Sequence, residues 1–406
     1  MTRLQDSPQA SIPTKPELSQ SVATDVANFG PLRLLVLQPT SFCNLDCDYC
    51  YLPNRHLHNR LDLDLIQPIF QRIFSSPFAR EHFTICWHAG EPLSVPVDYY
   101  RQAFDVIQAT SDEFNQQGIT FDISFQTNGL LINPAWCQLF QDYPVHVGVS
   151  IDGPAFLHDA HRQTRTGLGS HQGVMRGIQC LHDHDIYPSV IAVLTADSLG
   201  YADEIYDFFD QHQLRDVGFN MEETEGIHEH SSLNKTGIEL RYRQFMDRFW
   251  ELVTASQGNF RVREFEAMCN LIYTNDRLTQ TDMNYPFVIL NVDYQGNFST
   301  FDPELLSVKT ERYGDFILGN VLTDSLVDVC QTPKFQQIYA DMQAGVAQCR
   351  ATCHYFGLCG GGAGSNKYWE NGTFNCTETL ACRYRTQVIA DLVIDKIETS
   401  LGLAPV

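Results

Sequence analysis

The sequence predicts an α/β protein built as a partial (β/α)6 TIM-type barrel and followed by a smaller cysteine-rich domain. Two observations predict it: six apolar strand-like runs alternate with amphipathic helical stretches between residues 34 and 223, and cysteines concentrate in two places. Repeated strand–helix units indicate a parallel sheet, because parallel strands need a crossover connection. Six units are fewer than a closed eight-stranded barrel needs, so we expect an incomplete one.

Each predicted element has a position in the first half of the chain. Strands are predicted at residues 34–38, 84–88, 121–126, 146–151, 189–194 and 217–221. Helical periodicity covers residues 64–74, 99–115, 172–182 and 202–212. We expect a flexible segment at 1–30, the barrel at 31–235, a helical bridge at 236–285 and the cysteine-rich domain at 286–395.

Composition and charge narrow the classes of partner. The chain has 27 Lys and Arg against 49 Asp and Glu, a formal charge of −22. Such a charge repels phosphate backbones and argues against nucleic acid. No apolar run approaches the roughly 20 residues of a membrane span, and the first 30 residues lack the apolar core of a secretory signal. We therefore expect a cytoplasmic protein that binds neither nucleic acid nor membranes.

Three cysteines, Cys43, Cys47 and Cys50, lie within eight residues just after the first predicted strand. Three thiolates can hold three irons of a four-iron, four-sulfur cluster, which leaves the fourth iron open to a small chelating molecule. An open iron favours chemistry over electron storage. The alternative is a zinc site whose fourth ligand is His56 or His58.

Three further polar motifs also follow predicted strands. Trp87-His88-Ala89-Gly90-Glu91-Pro92 follows the second, Gln126-Thr127-Asn128-Gly129 the third, and Ser150-Ile151-Asp152-Gly153-Pro154 the fourth. The active site of a parallel barrel forms at the carboxyl ends of its strands, so we expect these turns on one rim. Each motif alone is equally an ordinary turn of Asn, Asp and Gly. Arg162, slightly further on, suits either a ligand carboxylate or a local acid.

A second cysteine group lies near the C-terminus, where Cys349, Cys353 and Cys359 precede three glycines, Cys376 and Cys382. Four thiolates can close an iron–sulfur cluster completely, and a structural zinc with the same four ligands is the alternative. The remaining cysteines are interpreted as small buried hydrophobes: Cys86, Cys137, Cys180, Cys269 and Cys330.

The C-x3-C-x2-C spacing, with Tyr49 before its last cysteine, resembles the signature of the radical S-adenosylmethionine (radical SAM) enzymes. The resemblance implies that S-adenosylmethionine chelates the open iron and is cleaved by one electron to a 5′-deoxyadenosyl radical. The motif Trp87-His88-Ala89-Gly90-Glu91-Pro92 resembles the family's Gly-Gly-Glu-Pro segment, with Ala89 replacing the first glycine. That replacement requires residue 89 to avoid a backbone conformation open only to glycine.

Roles for individual residues follow from the same resemblance. Glu91 and nearby backbone carbonyls are expected to accept from the cofactor's ammonium, Ser150 and Asp152 to bond its ribose or methionine part, and Arg162 to reach its carboxylate. The full set of expected cofactor-binding residues is Tyr49, Ala89, Gly90, Glu91, Gln126, Asn128, Ser150, Asp152 and Arg162.

The second cysteine group resembles the SPASM extension of peptide-modifying radical enzymes, which usually holds two auxiliary clusters. Here Phe301 and Ala363 stand where the family has cysteines, and both losses fall on the same cluster. The resemblance therefore implies one auxiliary four-iron, four-sulfur cluster. Its expected ligands are Cys349, Cys353, Cys359 and Cys382, with Cys376 as the reserve.

Asp302 is the candidate catalytic residue, because it matches an aspartate that acts as a base in sulfatase maturases. Here it would take a proton while a substrate radical is oxidised. It could equally bond substrate or cap a turn. If Asp302 has no catalytic role, Glu222, Glu223 and Glu225 are the next candidates for the base.

Residues 220–226, 360–362, 366–367 and 370–372 resemble one subgroup of maturases that modify ribosomal peptides, including glycine-rich-repeat precursors. Several members form cyclophane crosslinks. The resemblance implies hydrogen abstraction from a Cβ–H of a precursor peptide and addition of the carbon radical to an aromatic side chain. It also implies a reducing partner such as flavodoxin or ferredoxin.

Two alternatives remain open at this point. The first is formylglycine formation on a sulfatase, which Asp302 supports and the loss of one auxiliary cluster weighs against. The second is a protein without catalysis, either an iron–sulfur electron carrier or a zinc-stabilised binding module. An electron carrier would have no reason to leave one iron open.

Overall fold

A ten-stranded mixed sheet organises the chain in the computed structural model, which describes residues 26–306 and 308–403. Its strands run in the order β12-β9-β8-β1-β2-β3-β4-β5-β6-β7, and β10 and β11 form a separate two-stranded ribbon. The strand bounds are β1 Leu34–Leu37, β2 Phe83–Trp87, β3 Phe121–Thr127, β4 Val145–Ser150, β5 Ser189–Leu194, β6 Asp216–Met221, β7 Arg261–Val262, β8 Ile289–Val292, β9 Asn297–Thr300, β10 Lys309–Thr310, β11 Gly314–Asp315 and β12 Gly319–Asn320.

Strands β1 to β6 form the barrel wall, since they are neighbours in chain order and all pair in parallel. Every predicted barrel strand lies within one residue of the observed one at each end. The predicted partial barrel is therefore confirmed. The helices that cross over between these strands are α1 Ile66–Phe74, α2 Val97–Phe114, α3 Pro134–Asp142, α4 Ala155–His161, α5 His171–His182 and α6 Ala202–Gln211.

Helix α2 illustrates how these segments pack on the sheet. Its buried face repeats at helical spacing and carries Tyr100, which is fully buried between the rings of Trp87 and Phe125 at centroid distances of 5.1 and 4.9 Å. Truncation of a buried aromatic to alanine costs about 3–5 kcal/mol, so this contact fixes α2 against β2 and β3.

Helix α3 was not predicted, although its start is encoded locally. Asn133 caps it by accepting from the backbone N–H groups of Ala135 and Trp136, and Pro134 occupies the first helical position. Both residue types are typical of helix starts.

The chain after the barrel begins with helices α7 Ile238–Ala255 and α8 Arg263–Thr274, inside the predicted bridge. Strand β8 then returns to the barrel and pairs in parallel with β1, with Leu34 opposite Ile289. The β8–β9 hairpin turns at Gly296, whose φ is +79°. One sheet therefore runs across residue 285, where the sequence predicts a domain boundary.

The remaining helices are α9 Pro333–Thr352, α10 Phe356–Cys359, α11 Gly364–Asn371, α12 Leu380–Cys382 and α13 Ile389–Ser400, and a π-helical turn at Arg383–Val388 joins the last two. Of the N-terminal segment predicted to be flexible, residues 1–25 lie outside the described residues. Phe29 is fully buried, with its ring 5.3 Å from that of Tyr339. No helix within the described ranges is both long enough and apolar enough to cross a membrane.

Candidate active site

The loop after β1 places Cys43, Cys47 and Cys50 at the carboxyl ends of the barrel strands. Two arginines hold its backbone: Arg55 Nη1 donates to the carbonyl of Cys47 over 3.2 Å, and Arg165 Nε donates to that of Cys43 over 2.7 Å. Sequence reasoning missed Arg55, because its backbone partner appears only when the loop folds back. Cys47 and Cys50 line a cavity open at this end of the barrel, hereafter the rim cavity.

The spacing of these thiols does not suit a single ion. In the described part of the chain, no three side chains among these cysteines, His56 and His58 have ligand atoms that all lie within 4.8 Å of one another. A tetrahedral zinc holds two sulfurs about 3.8 Å apart, because its Zn–S bonds are about 2.3 Å. His58 stacks instead on the ring of Phe42, at a centroid distance of 3.9 Å.

The turn after β2 packs directly on the cysteine loop. A Cβ on Gly90 would lie 2.3 Å from the carbonyl oxygen of Thr40 and 2.8 Å from that of Phe42, so only glycine fits. The backbone N–H of Glu91 donates to the same Phe42 carbonyl over 2.7 Å. Ala89 has a φ of +65°, in the left-handed region, where a residue other than glycine is strained by roughly 1–2 kcal/mol.

The carboxylate of Glu91 is buried and satisfied by the protein itself. Its Oε1 accepts from the N–H of Leu93 at 2.9 Å and the hydroxyl of Thr127 at 2.6 Å, and its Oε2 accepts from the N–H of Asn128 at 2.8 Å. Burial raises the pKa of Glu91, and the three donors oppose that rise. Glu91 thus joins the turns after β2 and β3, and its carboxylate is engaged by protein donors rather than left free for a cofactor ammonium.

Asp152 and Arg162 form a buried ion pair in the turn after β4. Arg162 donates to both oxygens of Asp152, over 2.8 and 3.0 Å, and the Tyr49 hydroxyl donates to Oδ2 over 2.5 Å. Burial alone would raise the pKa of Asp152, but the Arg162 guanidinium lowers it below its usual value. Residues expected to bind different parts of one cofactor therefore bind one another.

The other predicted rim residues also form pairs. Gln126 Nε2 donates to Ser150 Oγ over 2.9 Å, and Asn128 Nδ2 donates to Asn44 Oδ1 over 2.7 Å while lying 3.7 Å from the sulfur of Cys43. The predicted residues on the cavity wall are Cys47, Tyr49, Cys50, Gln126, Ser150 and Arg162. Those that are not on it are Cys43, Ala89, Gly90, Glu91, Asn128 and Asp152.

Acidic side chains form another part of the rim-cavity wall. Glu222, Glu223, Glu225 and Glu304 all line it, and Asp302 does not. Burial is the largest cause of the pKa shifts of these acids. It raises the pKa of Glu304 to about 7, and it also raises the pKa of Glu225 and of Asp302. We call Glu223, Glu225, Asp302 and Glu304 the acid patch; sequence reasoning missed Glu304.

Two members of the acid patch contact the C-terminal part of the chain. Asp302 is fully buried, and its Oδ2 accepts from the backbone N–H of Ser365 over 2.7 Å. Its Oδ1 has no hydrogen-bond partner among the residues that the structure describes. Glu225 Oε1 accepts from Asn366 Nδ2 over 2.9 Å. Arg385 lies 3.3 Å from Glu223 and offsets part of the negative charge.

The C-terminal cysteines surround a second cavity. Four of them line it: Cys349, Cys353, Cys359 and Cys382. Cys376 is not on this wall, and its thiol donates to the carbonyl of Thr373 over 3.3 Å. Among the described residues these thiols also form no set of three within 4.8 Å, which disfavours a single zinc.

A buried lysine supports an anionic group at this second cavity. Lys367 is 4% exposed, lines the cavity, and has its Nζ 3.4 Å from the sulfur of Cys349. A buried ammonium needs a charged or strongly polar partner. A thiolate supplies that charge, so the pair fits a cysteine that binds metal.

The two positions where the SPASM pattern has cysteines are packed into the core. Phe301 is 2% exposed and stacks on Phe335 at a centroid distance of 6.4 Å, and Ala363 is 8% exposed. Phe301 has a φ of +75°, an uncommon conformation for an aromatic residue. Apolar packing therefore occupies the Phe301 position, whereas the buried Ala363 lies on the wall of the second cavity.

Comparison with known proteins identifies the barrel. Residues 37–209 match the family model described as the radical SAM superfamily. An uncharacterized protein of Synechocystis is 63% identical over 397 residues, which cover 98% of this chain and all of that protein. The chain belongs to the radical SAM superfamily. A serine-type anaerobic sulfatase-maturating enzyme of Bacteroides thetaiotaomicron is 35% identical over 195 residues, and that match spans only 46% of this chain and 45% of the enzyme.

Solved structures share the fold of this radical SAM protein. The structure of anSMEcpe with bound AdoMet and a peptide named Kp18Cys has a TM-score of 0.73 at 18% identity, covering 92% of this chain and 99% of that one. Streptococcus suis SuiB bound to its precursor peptide SuiA has a TM-score of 0.61 at 16% identity, covering 90% of this chain and 79% of SuiB. At these identities the likeness concerns the fold alone.

The radical SAM family implies S-adenosylmethionine and a four-iron, four-sulfur cluster, and the rim residues fit both. Cys43, Cys47 and Cys50 supply three soft ligands at a spacing unsuited to one ion. The rim cavity beside them offers the polar wall that a zwitterionic nucleoside needs, including Gln126 and Ser150.

The contact between Gly90 and the cysteine loop yields a prediction. Gly90→Ala should lower formation of 5′-deoxyadenosine from S-adenosylmethionine by roughly 100-fold, because the new methyl displaces the loop that holds the reacting groups. Gly118→Ala is the matched control, since Gly118 has a similar φ of +68° and nothing within 4 Å of its added Cβ. Equal rates in the two variants would show that this contact does not position the loop.

Proposed function

We propose that this radical SAM protein is an oxidoreductase that modifies a ribosomally made precursor peptide, joining a Cβ carbon of one residue to an aromatic ring of the same peptide. The observation that carries the proposal is the four-thiol site in the C-terminal part of the chain. A crosslink of this kind removes two hydrogens, so an acceptor is needed for the electron that remains after hydrogen abstraction.

Two sets of thiols would hold the redox groups. Cys43, Cys47 and Cys50 would bind the cluster that leaves one iron for S-adenosylmethionine. A single auxiliary cluster would be bound by Cys349, Cys353, Cys359 and Cys382, with Lys367 balancing its charge. When bound, these groups supply a 5′-deoxyadenosyl radical that removes one hydrogen atom, and an acceptor for the second electron. Flavodoxin or ferredoxin would serve as the reductant.

The chain itself would position the peptide and keep water out. Residues between 47 and 225 line the rim cavity together with Glu304, and Ile191 and Val193 give it an apolar wall beside the acidic one. An aromatic side chain suits the apolar wall, and confinement holds its ring near the attacked carbon. The peptides named in the anSMEcpe and SuiB structures support a peptide as the substrate class.

The acid patch would take the proton that leaves when the ring regains aromaticity. A general base works best when its pKa lies near the working pH, and burial raises the pKa of Glu304 to about 7. Glu304 faces the rim cavity, whereas Asp302 lies beside it with an unpartnered Oδ1. We propose that Glu304 receives the proton and that Asp302, buried within the same patch, sets its proton affinity or takes the proton on.

Formylglycine formation is the second candidate, and the sequence match to sulfatase-maturating enzymes favours it. That match covers only 46% of this chain and 45% of the enzyme. The crosslink and the formation of formylglycine from serine both remove two hydrogens, so structure rather than mass separates these products. Formation of formylglycine from cysteine also replaces sulfur by oxygen, so its product differs in mass.

We expect the reduced holoenzyme to release 5′-deoxyadenosine with S-adenosylmethionine. Given a short precursor peptide, to be sought among the products of neighbouring genes, it should remove two hydrogens from that peptide. Fragmentation and NMR should locate a bond from a Cβ to an aromatic ring, and Cys47→Ala should abolish both products. A product that reacts with a hydrazide would indicate formylglycine instead. Absence of 5′-deoxyadenosine would indicate a protein without catalysis.

The metal content provides a second prediction. Anaerobic reconstitution should give about eight irons per chain, two clusters of four. Cys382→Ala should lose about half of that iron, while Cys376→Ala should keep all of it, because only Cys382 lies on the wall of the second cavity. About twelve irons would mean a further cluster despite Phe301 and Ala363.

The acid patch predicts a pH dependence for the crosslink. A raised carboxyl pKa means that Glu304 becomes able to accept a proton only as the pH rises through about 7. The amount of modified peptide per 5′-deoxyadenosine should therefore rise through that pH in the wild type, and Glu304→Gln should abolish the rise.

Asp302→Asn should still cleave S-adenosylmethionine but give less modified peptide. Asp293→Asn is its control, because Asp293 is a buried carboxylate in the β8–β9 turn whose Oδ1 accepts from Gln295 and Asn297. Normal product and an unchanged pH profile in Glu304→Gln and Asp302→Asn would move the base to Glu222, Glu223 or Glu225.

A further inference from the structure

Two cysteines interpreted from the sequence as buried hydrophobes meet on the outer helical layer. Cys137 on α3 and Cys180 on α5 have their sulfurs 3.6 Å apart, although 43 positions separate them in the chain. Cys137 is fully buried, and Cys180 is half-buried. An imidazole nitrogen of His184 lies within 4.8 Å of both sulfurs.

This is the one group of three potential metal ligands at such close spacing within residues 26–306 and 308–403. The sulfur separation is close to the roughly 3.8 Å that tetrahedral zinc imposes on two thiolates with Zn–S bonds of about 2.3 Å. The thiols at the rim and at the second cavity do not meet this spacing, so the chain has two geometrically different kinds of thiol site.

The imidazole is held by groups that also orient histidine ligands in metal sites. His184 Nδ1 lies 2.7 Å from the carbonyl oxygen of Cys180, and a proton on Nδ1 leaves the lone pair on Nε2. Ligating histidines commonly donate their other ring nitrogen to a backbone carbonyl in this way. Gln141 Nε2 donates to the carbonyl of His184 over 2.8 Å and ties the end of α5 to α3.

We propose that Cys137, Cys180 and His184 bind a zinc ion that joins α3 to α5. Two thiolates and one neutral imidazole neutralise a divalent cation and match the S and N ligands that zinc prefers. The fourth position is left to water, since both Cys180 and His184 are partly exposed. Binding releases the two thiol protons to solvent and involves no change of oxidation state.

The proposed site is separate from the redox chemistry. None of its three residues lines the rim cavity or the cavity of the C-terminal cysteines. Its effect is therefore expected on the stability of the outer layer, and the site does not depend on the proposed reaction.

A zinc-retention measurement tests the proposal. The anaerobic holoenzyme, with its clusters loaded, is given one equivalent of zinc chloride and is then desalted against a weak chelator. The wild type should retain about one zinc per chain, and Cys180→Ser and His184→Gln should retain less than about a tenth as much, with iron unchanged in all three. Cys269→Ser is the matched control, because Cys269 is another half-buried helical thiol and should retain zinc.

Two further measurements separate this site from the cluster cysteines. Zinc X-ray absorption, to which iron does not contribute, should show two sulfurs near 2.3 Å and one imidazole nitrogen near 2.0 Å. Zinc should also raise the unfolding temperature of the wild type and of Cys269→Ser but not of Cys180→Ser. Equal zinc in all variants, no zinc in the wild type, or a Cys137–Cys180 disulfide in the anaerobically purified protein would overturn the proposal.

Discussion

The structure of the barrel rim depends on one buried carboxylate, that of Glu91, and on one glycine, Gly90. Glu91 accepts from two backbone N–H groups and a hydroxyl, and so holds the turns after β2 and β3 at a fixed separation. Gly90, beside it, lets the same turn approach the carbonyls of the cysteine loop closely. Loss of a buried acceptor leaves its donors unsatisfied at about 1–3 kcal/mol each, so the three turns are mutually dependent. Glu91 and Gly90 therefore set the relative positions of the cysteine loop and the turns after β2 and β3.

The sequence was sufficient to predict the barrel strands and to divide the cysteines into a group near the N-terminus and one near the C-terminus. Both predictions use local properties, the period of apolar residues and the spacing of cysteines. The sequence did not predict which side chains contact one another. Nothing local indicated that Asp152 would engage Arg162, or that a cavity would include Glu304 but not Asp302. Cys137 and Cys180 looked like isolated apolar residues, since the helix pairing that brings them together is a tertiary property. At residue 89 the packing of the rim overrides the preference of alanine for negative φ.

Charge is distributed unevenly between the two cavities. Four glutamates line the rim cavity, and burial raises the pKa of two of them, Glu225 and Glu304. The second cavity instead places the ammonium of Lys367 against a sulfur. An acidic wall attracts cations, and a lysine near a metal-bound thiolate stabilises extra negative charge on that thiolate's metal. The two cavities thus differ in charge: carboxylates line the rim cavity, and an ammonium lies beside the thiols of the second cavity.

The pairing of β8 with β1 has a consequence for how the protein is made. Strand β1 emerges early from the ribosome, but its second neighbour is translated about 250 residues later, roughly 13–50 s at ordinary elongation rates. Until then, one edge of β1 is an unpaired strand next to three reactive thiols, and such edges recruit other strands. During synthesis, chaperones and cluster-assembly factors would therefore bind a chain whose sheet is incomplete. In a shortened chain that ends before β8, this edge of β1 would stay unpaired.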